Sequence, residues 1–254
     1  MAQDKITASV YSQEKLGSDV FRMWITAPDM AAAAKPGQFI SVFSKDGARL
    51  LPRPISICET DPSAGKLRIV YRVVGAGTEE FAGYQAGDDI EVMGPLGNGF
   101  PLLDKKAFLI GGGIGIPPML ELAKQLQCEK TAVLGYRDEL FLNNEFAPYA
   151  DVVIATEDGS AGTPGNVLDA IRAQKLTADV IYACGPTPML RAVKQYAAEQ
   201  GIECYLSFEE KMACGIGACL ACVCQSKDVD SHSHVHNKRI CKDGPVFPAQ
   251  EVEL

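Results

Sequence analysis

The chain has no apolar window approaching ~20 residues, so no transmembrane helix is expected. Its start, Met1-Ala-Gln-Asp-Lys-Ile6, lacks the basic and apolar stretches of a secretory signal. Basic residues are outnumbered: 24 Lys and Arg face 32 Asp and Glu, a formal net charge of −8. That deficit disfavours nucleic acid and anionic membrane surfaces as partners. No internal repeat is present. Nine cysteines, an odd number without a signal, suit a reducing cytoplasmic location better than a disulfide framework.

What the chain does have is a cysteine cluster, Met212-Ala-Cys-Gly-Ile-Gly-Ala-Cys-Leu-Ala-Cys-Val-Cys224. Cys214, Cys219 and Cys222 are spaced C-x4-C-x2-C, and Cys241 follows in Arg239-Ile-Cys-Lys-Asp-Gly244. This spacing fits a plant-type [2Fe-2S] site, whose iron carries one electron at a time. Gly215 and Gly217 let the loop curl and bring N–H groups near sulfur. Zinc, disulfides or a plain buried thiol cluster are the competing readings. Structural zinc usually brings paired C-x2–4-C knuckles, and only one such pair fits comfortably here. Cys224 competes with Cys222, since the two share a face if the stretch is extended. Cys222 is preferred because it completes the spacing. Cys58, Cys128, Cys184 and Cys204 stand singly and read as buried apolar residues.

At 254 residues and 47% apolar content, the chain can hold two modest domains and an appendage. The first hundred residues read as short strands: Lys5–Gln13, Phe21–Ala27, Phe39–Phe43, Leu67–Val74 and Asp89–Met93. Gly and Pro clusters divide them, which predicts a small antiparallel barrel over 1–100. Ala31–Ala34 is read as one helical turn. From Pro101 the pattern alternates. Strands are expected at Lys106–Gly111, Thr131–Tyr136, Val152–Thr156 and Val180–Cys184, and helices at Pro117–Leu126, Asn166–Gln174 and Pro188–Gln200. That alternation predicts an α/β parallel-sheet domain over 101–203 with helices on both faces. Residues 204–254 remain as a small cysteine-bearing lobe.

Two glycine turns join an apolar strand to a helix. The first is Ile110-Gly-Gly-Gly-Ile-Gly-Ile-Pro-Pro-Met119, with Gly111, Gly112, Gly113 and Gly115. The second is Ala183-Cys-Gly-Pro-Thr-Pro-Met-Leu190, with Cys184, Gly185 and Pro186. Glycine admits a pyrophosphate closely, and a helix N-terminus offers unpaired N–H groups to it. Ordinary strand–helix loops are the alternative. In the first domain, Arg53 and Ser56 of Leu51-Pro-Arg-Pro-Ile-Ser-Ile57 stand on one strand, where an arginine meets a phosphate bidentately. Val70-Tyr-Arg-Val-Val-Gly-Ala-Gly-Thr78 ends a strand in a Gly-x-Gly-Thr loop suited to a second phosphate contact. Solvated barrel surface is the commoner fate of either segment alone. The histidines His232, His234 and His236 read as a solvated hairpin tip rather than a metal site.

The order of these motifs resembles the ferredoxin reductase family. With the added lobe, it resembles the electron-transfer subunits of class 1B dihydroorotate dehydrogenase. The resemblance spans nearly the whole chain, and Arg53-Pro-Ile-Ser56, Gly111–Pro118, Cys184-Gly-Pro186, Met212–Cys219 and Cys241–Phe247 carry most of it. It implies FAD held by Arg53, Pro54, Ile55 and Ser56, by Val70, Tyr71 and Arg72, and by Gly77 and Thr78. It implies NAD at the glycine turns, and cluster ligands Cys214, Cys219, Cys222 and Cys241. It further implies a partner subunit containing FMN, where dihydroorotate is oxidised to orotate in pyrimidine biosynthesis, within a heterotetramer of two of each. Electrons would run from that FMN through the cluster to FAD and on to NAD+. The wider family carries tyrosine where Ile55 stands, which makes Tyr71 the expected ring over the flavin. In related reductases the end of strand Val152–Thr156 lies near the adenosine ribose. Glu157 and Asp158 there, with no arginine beside them in sequence, imply NAD over NADP. A related subunit, such as that of ferredoxin-NADP transhydrogenase or a hydrogenase diaphorase, is the nearest alternative. A non-catalytic iron–sulfur or zinc scaffold is the alternative of another class.

Overall fold

The computed structural model describes residues 4–227, 229–231 and 234–254. Six strands close an antiparallel barrel: β1 (Lys5–Lys15), β2 (Val20–Thr26), β3 (Phe39–Val42), β4 (Arg53–Asp61), β5 (Lys66–Arg72) and β6 (Asp89–Leu96), in the order β1-β2-β5-β4-β3-β6. Alternation along the strands turns Val10, Met23, Ile25, Ile40, Val42, Ile57, Leu67, Ile69, Ile90 and Val92 into one interior. Helix α1 (Pro28–Ala33) covers Ala31–Ala33 of the expected alanine turn, and Ala34 is extended. Helix α2 (Ala76–Ala82) occupies the segment read as a Gly-x-Gly-Thr loop.

The second unit is a seven-stranded sheet. Its strands are β7 (Ala107–Gly112), β8 (Lys130–Tyr136), β9 (Asp151–Thr156), β10 (Thr163–Pro164), β11 (Val180–Cys184), β12 (Glu203–Ser207) and, after the hairpin of β13 (Val223–Gln225) and β14 (Asn237–Arg239), β15 (Val246–Pro248). The order is β10-β9-β8-β7-β11-β12-β15; all pairs are parallel except β12 with β15. Helices α3 (Pro117–Gln125) and α4 (Asn143–Phe146) cover one face, and α5 (Val167–Ala173) and α6 (Thr187–Gln200) the other. Side-chain alternation explains the split. Leu109, Leu134 and Tyr182 pack with Met119, Leu122 and Phe146, while Phe108, Ile110 and Ile181 pack with Ile171, Leu190 and Val193.

The expected boundary between residues 203 and 204 falls inside β12, and β15 returns from the cysteine segment to extend the same sheet. Among the described residues, the lobe has no separate core. Met212, Cys222, Ile240, Cys241 and Phe247 share one apolar cluster with Phe39, Met93 and Leu96 of the barrel and Leu206 of the sheet. A segment this short cannot bury enough surface alone, so it borrows the walls of both neighbours.

Polar contacts fix the barrel against the sheet. The buried Glu121 of α3 accepts from the Thr60 N–H at 2.8 Å, and Arg68 of β5 lies 2.7 Å from Glu59 and 2.7 Å from Glu145 of α4. Lys124 of α3 completes the group at 2.7 Å from Glu59. The Glu59 contact is an ion pair in distance but is not aligned as a hydrogen bond. Removal of either sign would leave a desolvated charge, the arrangement that resists rearrangement most. Among the described residues, no helix is long and apolar enough to cross a membrane.

Candidate functional site

The cysteine loop brings four thiols together in two pairs. Cys214 and Cys219 have sulfurs 3.3 Å apart, and Cys222 hydrogen-bonds with Cys241. Among the described residues, no three His, Cys, Asp or Glu side chains converge on one ion position. A tetrahedral zinc needs four ligands around a single point. Two pairs instead fit two irons with two thiolates each, the donor set of a [2Fe-2S] cluster. One sulfur of each pair, Cys214 and Cys222, is shifted toward the thiolate. Burial alone would raise Cys214, but N–H groups of Cys219, Ile216 and Ala218 outweigh it and bring it down to about 7. The hydrogen bond from Cys241 brings Cys222 down to about 6 and pushes Cys241 up, and the Gly217 N–H reaches the Cys241 sulfur at 3.1 Å.

Cys224 stands apart. Its thiol faces the Lys238 carbonyl at 3.6 Å, and burial pushes it up to about 11. It lines a cleft of about 410 Å³ with Gly185, Phe208 and Ile240. Cys58, Cys184 and Cys204 are buried with raised thiols, Cys128 is half-buried, and none joins the pairs. His234 and His236 lie exposed between β13 and β14, in agreement with a solvated tip, and His232 lies outside the described residues.

The loop is seated on the barrel. A Cβ on Gly215 would stand 3.0 Å from the Ser41 hydroxyl and 3.4 Å from Leu96, and its φ of +71° favours glycine. The Ser41 hydroxyl is fully buried and has no partner among the described groups. A buried orphan donor facing the cysteine loop is what a sulfur-rich group there would satisfy. Ser41 is registered opposite Pro54, so the loop lies one strand from Arg53–Ser56.

Arg53 begins β4, half-buried. Its guanidinium crosses Gly77 so closely that a Cβ there would meet Nε at 2.2 Å, and it donates to the Leu51 carbonyl. Arg53 therefore lies directly against the start of α2. Pro54 and Ser56 are half-buried beside it, while Ile55 points into the barrel. Thr78 spends its hydroxyl on the helix start, accepting from Val74 N–H at 3.0 Å and donating to Gly75 O at 2.9 Å. The expected role of Tyr71 as a flavin cover does not hold. Its ring is inside the barrel, stacked on Phe21 and edge-on to Phe81, with the hydroxyl donating to Gln13 at 2.9 Å. In a strand starting at the barrel interior, the alternation that exposes Arg72 must bury Tyr71, and Val70 packs beneath the sheet domain.

The two glycine turns interlock. A Cβ on Gly115 would lie 2.3 Å from the Cys184 carbonyl, so this glycine serves turn–turn contact. Gly113, at φ +53°, has open space before it. Gly112, Gly113 and Pro186 line a cleft of about 450 Å³ with Arg72 of the barrel, Glu157 and Arg137. Gly111 and Cys184 are buried below it, and Gly185 forms the second turn. The cleft lies at the carboxyl ends of the parallel strands, where such sheets bind nucleotides. Asp158 is occupied by Ser160, at 2.7 Å from its hydroxyl, while Glu157 lines the cleft together with Asp138 and Glu139. The absence of an arginine beside Glu157 is true only along the chain. Strand pairing brings in Arg137, which is matched by Asp138 at 3.0 Å.

A flavin-type barrel, a parallel sheet with a nucleotide cleft and a cysteine lobe wedged between them define a ferredoxin-reductase-type electron-transfer protein. Residues 209–253 match the family described as the iron-sulfur cluster binding domain of dihydroorotate dehydrogenase B. The chain is 43% identical over 256 residues, 97% of each chain, to the "Dihydroorotate dehydrogenase B (NAD(+)), electron transfer subunit" of Geobacillus kaustophilus (strain HTA426). It is 40% identical, again over 97% of each, to the protein of that name from Fusobacterium nucleatum. A solved NADH-dependent reduced ferredoxin-NADP oxidoreductase is similar at TM-score 0.87 and 31% identity, covering 100% of this chain and 91% of that one. The ferredoxin reductase of carbazole 1,9a-dioxygenase shares the fold at TM-score 0.66 and 20% identity, over 78% and 66%. The chain belongs to the family of dihydroorotate dehydrogenase B electron transfer subunits.

The thiol geometry makes a sharp distinction between neighbours. Cys219→Ala removes one member of a pair and is expected to lower iron content and bleach the visible spectrum, whereas Cys224→Ala should leave both unchanged. Iron assay and EPR of the purified variants check this; loss of iron from Cys224→Ala alone would reverse the assignment.

Proposed function

We propose that this chain carries electrons between a dihydroorotate-oxidising partner subunit and NAD+, with the four paired cysteines holding a [2Fe-2S] cluster. The observation that supports it best is the seat of the cysteine loop on β3, one strand from Arg53–Ser56, with the glycine-turn cleft opening nearby. When bound, FAD exchanges a hydride with nicotinamide and single electrons with such a cluster. Residues do the rest by position. Arg53 would hold an FAD phosphate, and the Ser56 hydroxyl would meet a polar group of the flavin. The Gly113 turn admits the NAD pyrophosphate, and Glu157 meets the adenosine ribose. Buried walls around Cys222 and Cys241 exclude water from the relay. No acid–base pair on this chain is needed, so the base for dihydroorotate belongs to the partner, proposed to contain FMN in a heterotetramer of two of each. The exposed Ile216 and Leu220, on the cysteine loop itself, offer the partner an apolar contact beside the cluster.

The relatives at 43% identity favour this assignment over a ferredoxin-NADP oxidoreductase subunit at 31%. The test is co-purification with the catalytic subunit followed by an orotate assay. Dihydroorotate-dependent NADH formation is expected only from the assembled pair, and ferredoxin-dependent turnover without orotate would favour the alternative.

Arg53→Ala should weaken FAD binding by about 1.5–3 kcal/mol, roughly ten- to a hundredfold, through loss of a charge-assisted phosphate contact. Flavin content after gel filtration and FAD titration of the apoprotein measure it. Unchanged affinity would return Arg53 to the surface.

NADH is expected to give the higher kcat/KM, because Glu157 repels a 2′-phosphate, as do Asp138 and Glu139 in the same cleft. Steady-state kinetics with both nucleotides decide; equal or better efficiency with NADPH contradicts this role of Glu157.

A further inference from the structure

Arg239 is 5% exposed and stands two residues before Cys241. Its guanidinium lies 3.3 Å from Asp230 and 3.3 Å from Asp243, and its own N–H donates to Asp243 at 2.8 Å. What the guanidinium grips is the Gly217 carbonyl, at 3.1 Å. Gly217 is the residue whose N–H donates to the Cys241 sulfur at 3.1 Å. On its other side the chain has no room. Gly217 sits at φ +80°, and a Cβ would meet Lys242 at 2.5 Å. Arg239 therefore ties the x4–x2 loop to the strand that delivers the fourth thiol.

We infer that Arg239 is a positioning residue for the cluster, which acts through Gly217 to hold an N–H on the Cys241 sulfur and thereby raises the reduction potential. The inference rests on the cluster reading above. Reduction adds one electron and one negative charge to the centre. An N–H dipole aimed at a ligand sulfur stabilises that charge and makes the centre easier to reduce. A looser Gly217 gives up part of this effect. The charge of Arg239 could act through space instead, but two carboxylates face it at 3.3 Å and cancel its field at a distance. Position, not charge, is what this guanidinium adds. Lysine cannot reproduce the planar fork that spans two carboxylates and a carbonyl.

The experiment is an EPR-monitored redox titration of the full-length holoprotein, with iron content measured beside it, for the parent, Arg239→Lys and Arg239→Gln. Both variants are expected to keep iron and to become about tenfold harder to reduce, ~59 mV for one electron, with shifted g-values. A parental potential in Arg239→Lys beside a lowered one in Arg239→Gln would assign the effect to charge and overturn the inference. Parental potentials in both would overturn it as well. If the variants lose iron, Asp230→Asn leaves Arg239 in place but frees one side of its grip, and it should lower the potential by a smaller amount; no change would refute the role. A parent chain without iron would sink the cluster reading itself, which separates the two failures.

Discussion

The close approach of the cysteine loop to the outer wall of the barrel is the constraint on which the rest of the molecule depends. Gly215, at φ +71°, lies against Ser41, Leu96 and Met93, where a Cβ would stand 3.0, 3.4 and 3.5 Å from them. Ser41 sits opposite Pro54 in the next strand, so the strand that carries Arg53 neighbours the one the loop rests on. A relay of single electrons needs its stations close and fixed, and this contact supplies both. It also explains why the cysteine segment has no core of its own. Met212, Ile240 and Phe247 complete a cluster whose other members come from the barrel and the sheet, so the segment acts as a wedge between them.

The second constraint holds the two large units at one mutual orientation. Glu121 and Thr60, and the set Arg68, Glu59, Glu145 and Lys124, place matched charges and hydrogen bonds across their boundary. Such groups stabilise little when paired but cost several kcal/mol when one partner is removed, so they specify geometry more than they add strength. The result is a cleft that collects Arg72 from the barrel, Gly113 from the first turn and Pro186 from the second. Nicotinamide bound there and flavin bound at the barrel would face each other across this boundary.

Much of this was legible in the sequence because it is written in short-range patterns. The alternation of Lys5–Gln13 and the apolar runs at Lys106–Gly111 and Val180–Cys184 locate strands directly, and the x4–x2 spacing singles out Cys214, Cys219 and Cys222, which the fold pairs with one another or with Cys241. What escaped depends on contacts distant in sequence. The inward face of Tyr71 follows from barrel closure, and Arg137 reaches Glu157 only through strand pairing. Strand β15 was hidden for a similar reason, since three residues carry no period of their own and join the sheet only beside β12. Helix α2 was masked by its glycines, which permit the Arg53 crossing and weaken helical propensity together. The preference for Cys222 over Cys224, drawn from the spacing, agrees with the pairing of Cys222 with Cys241.

The central claim is that electrons leave the partner through the cysteine loop and reach nicotinamide through the barrel. Its most direct test is to assemble the catalytic subunit with a chain verified by iron content to lack the cluster yet to retain FAD. Two reactions are then followed on the same sample. Reduction of a flavin-accepting dye by NADH should survive, while reduction of NAD+ by dihydroorotate should stop. Normal dihydroorotate-to-NAD+ turnover in that cluster-free assembly would contradict the account.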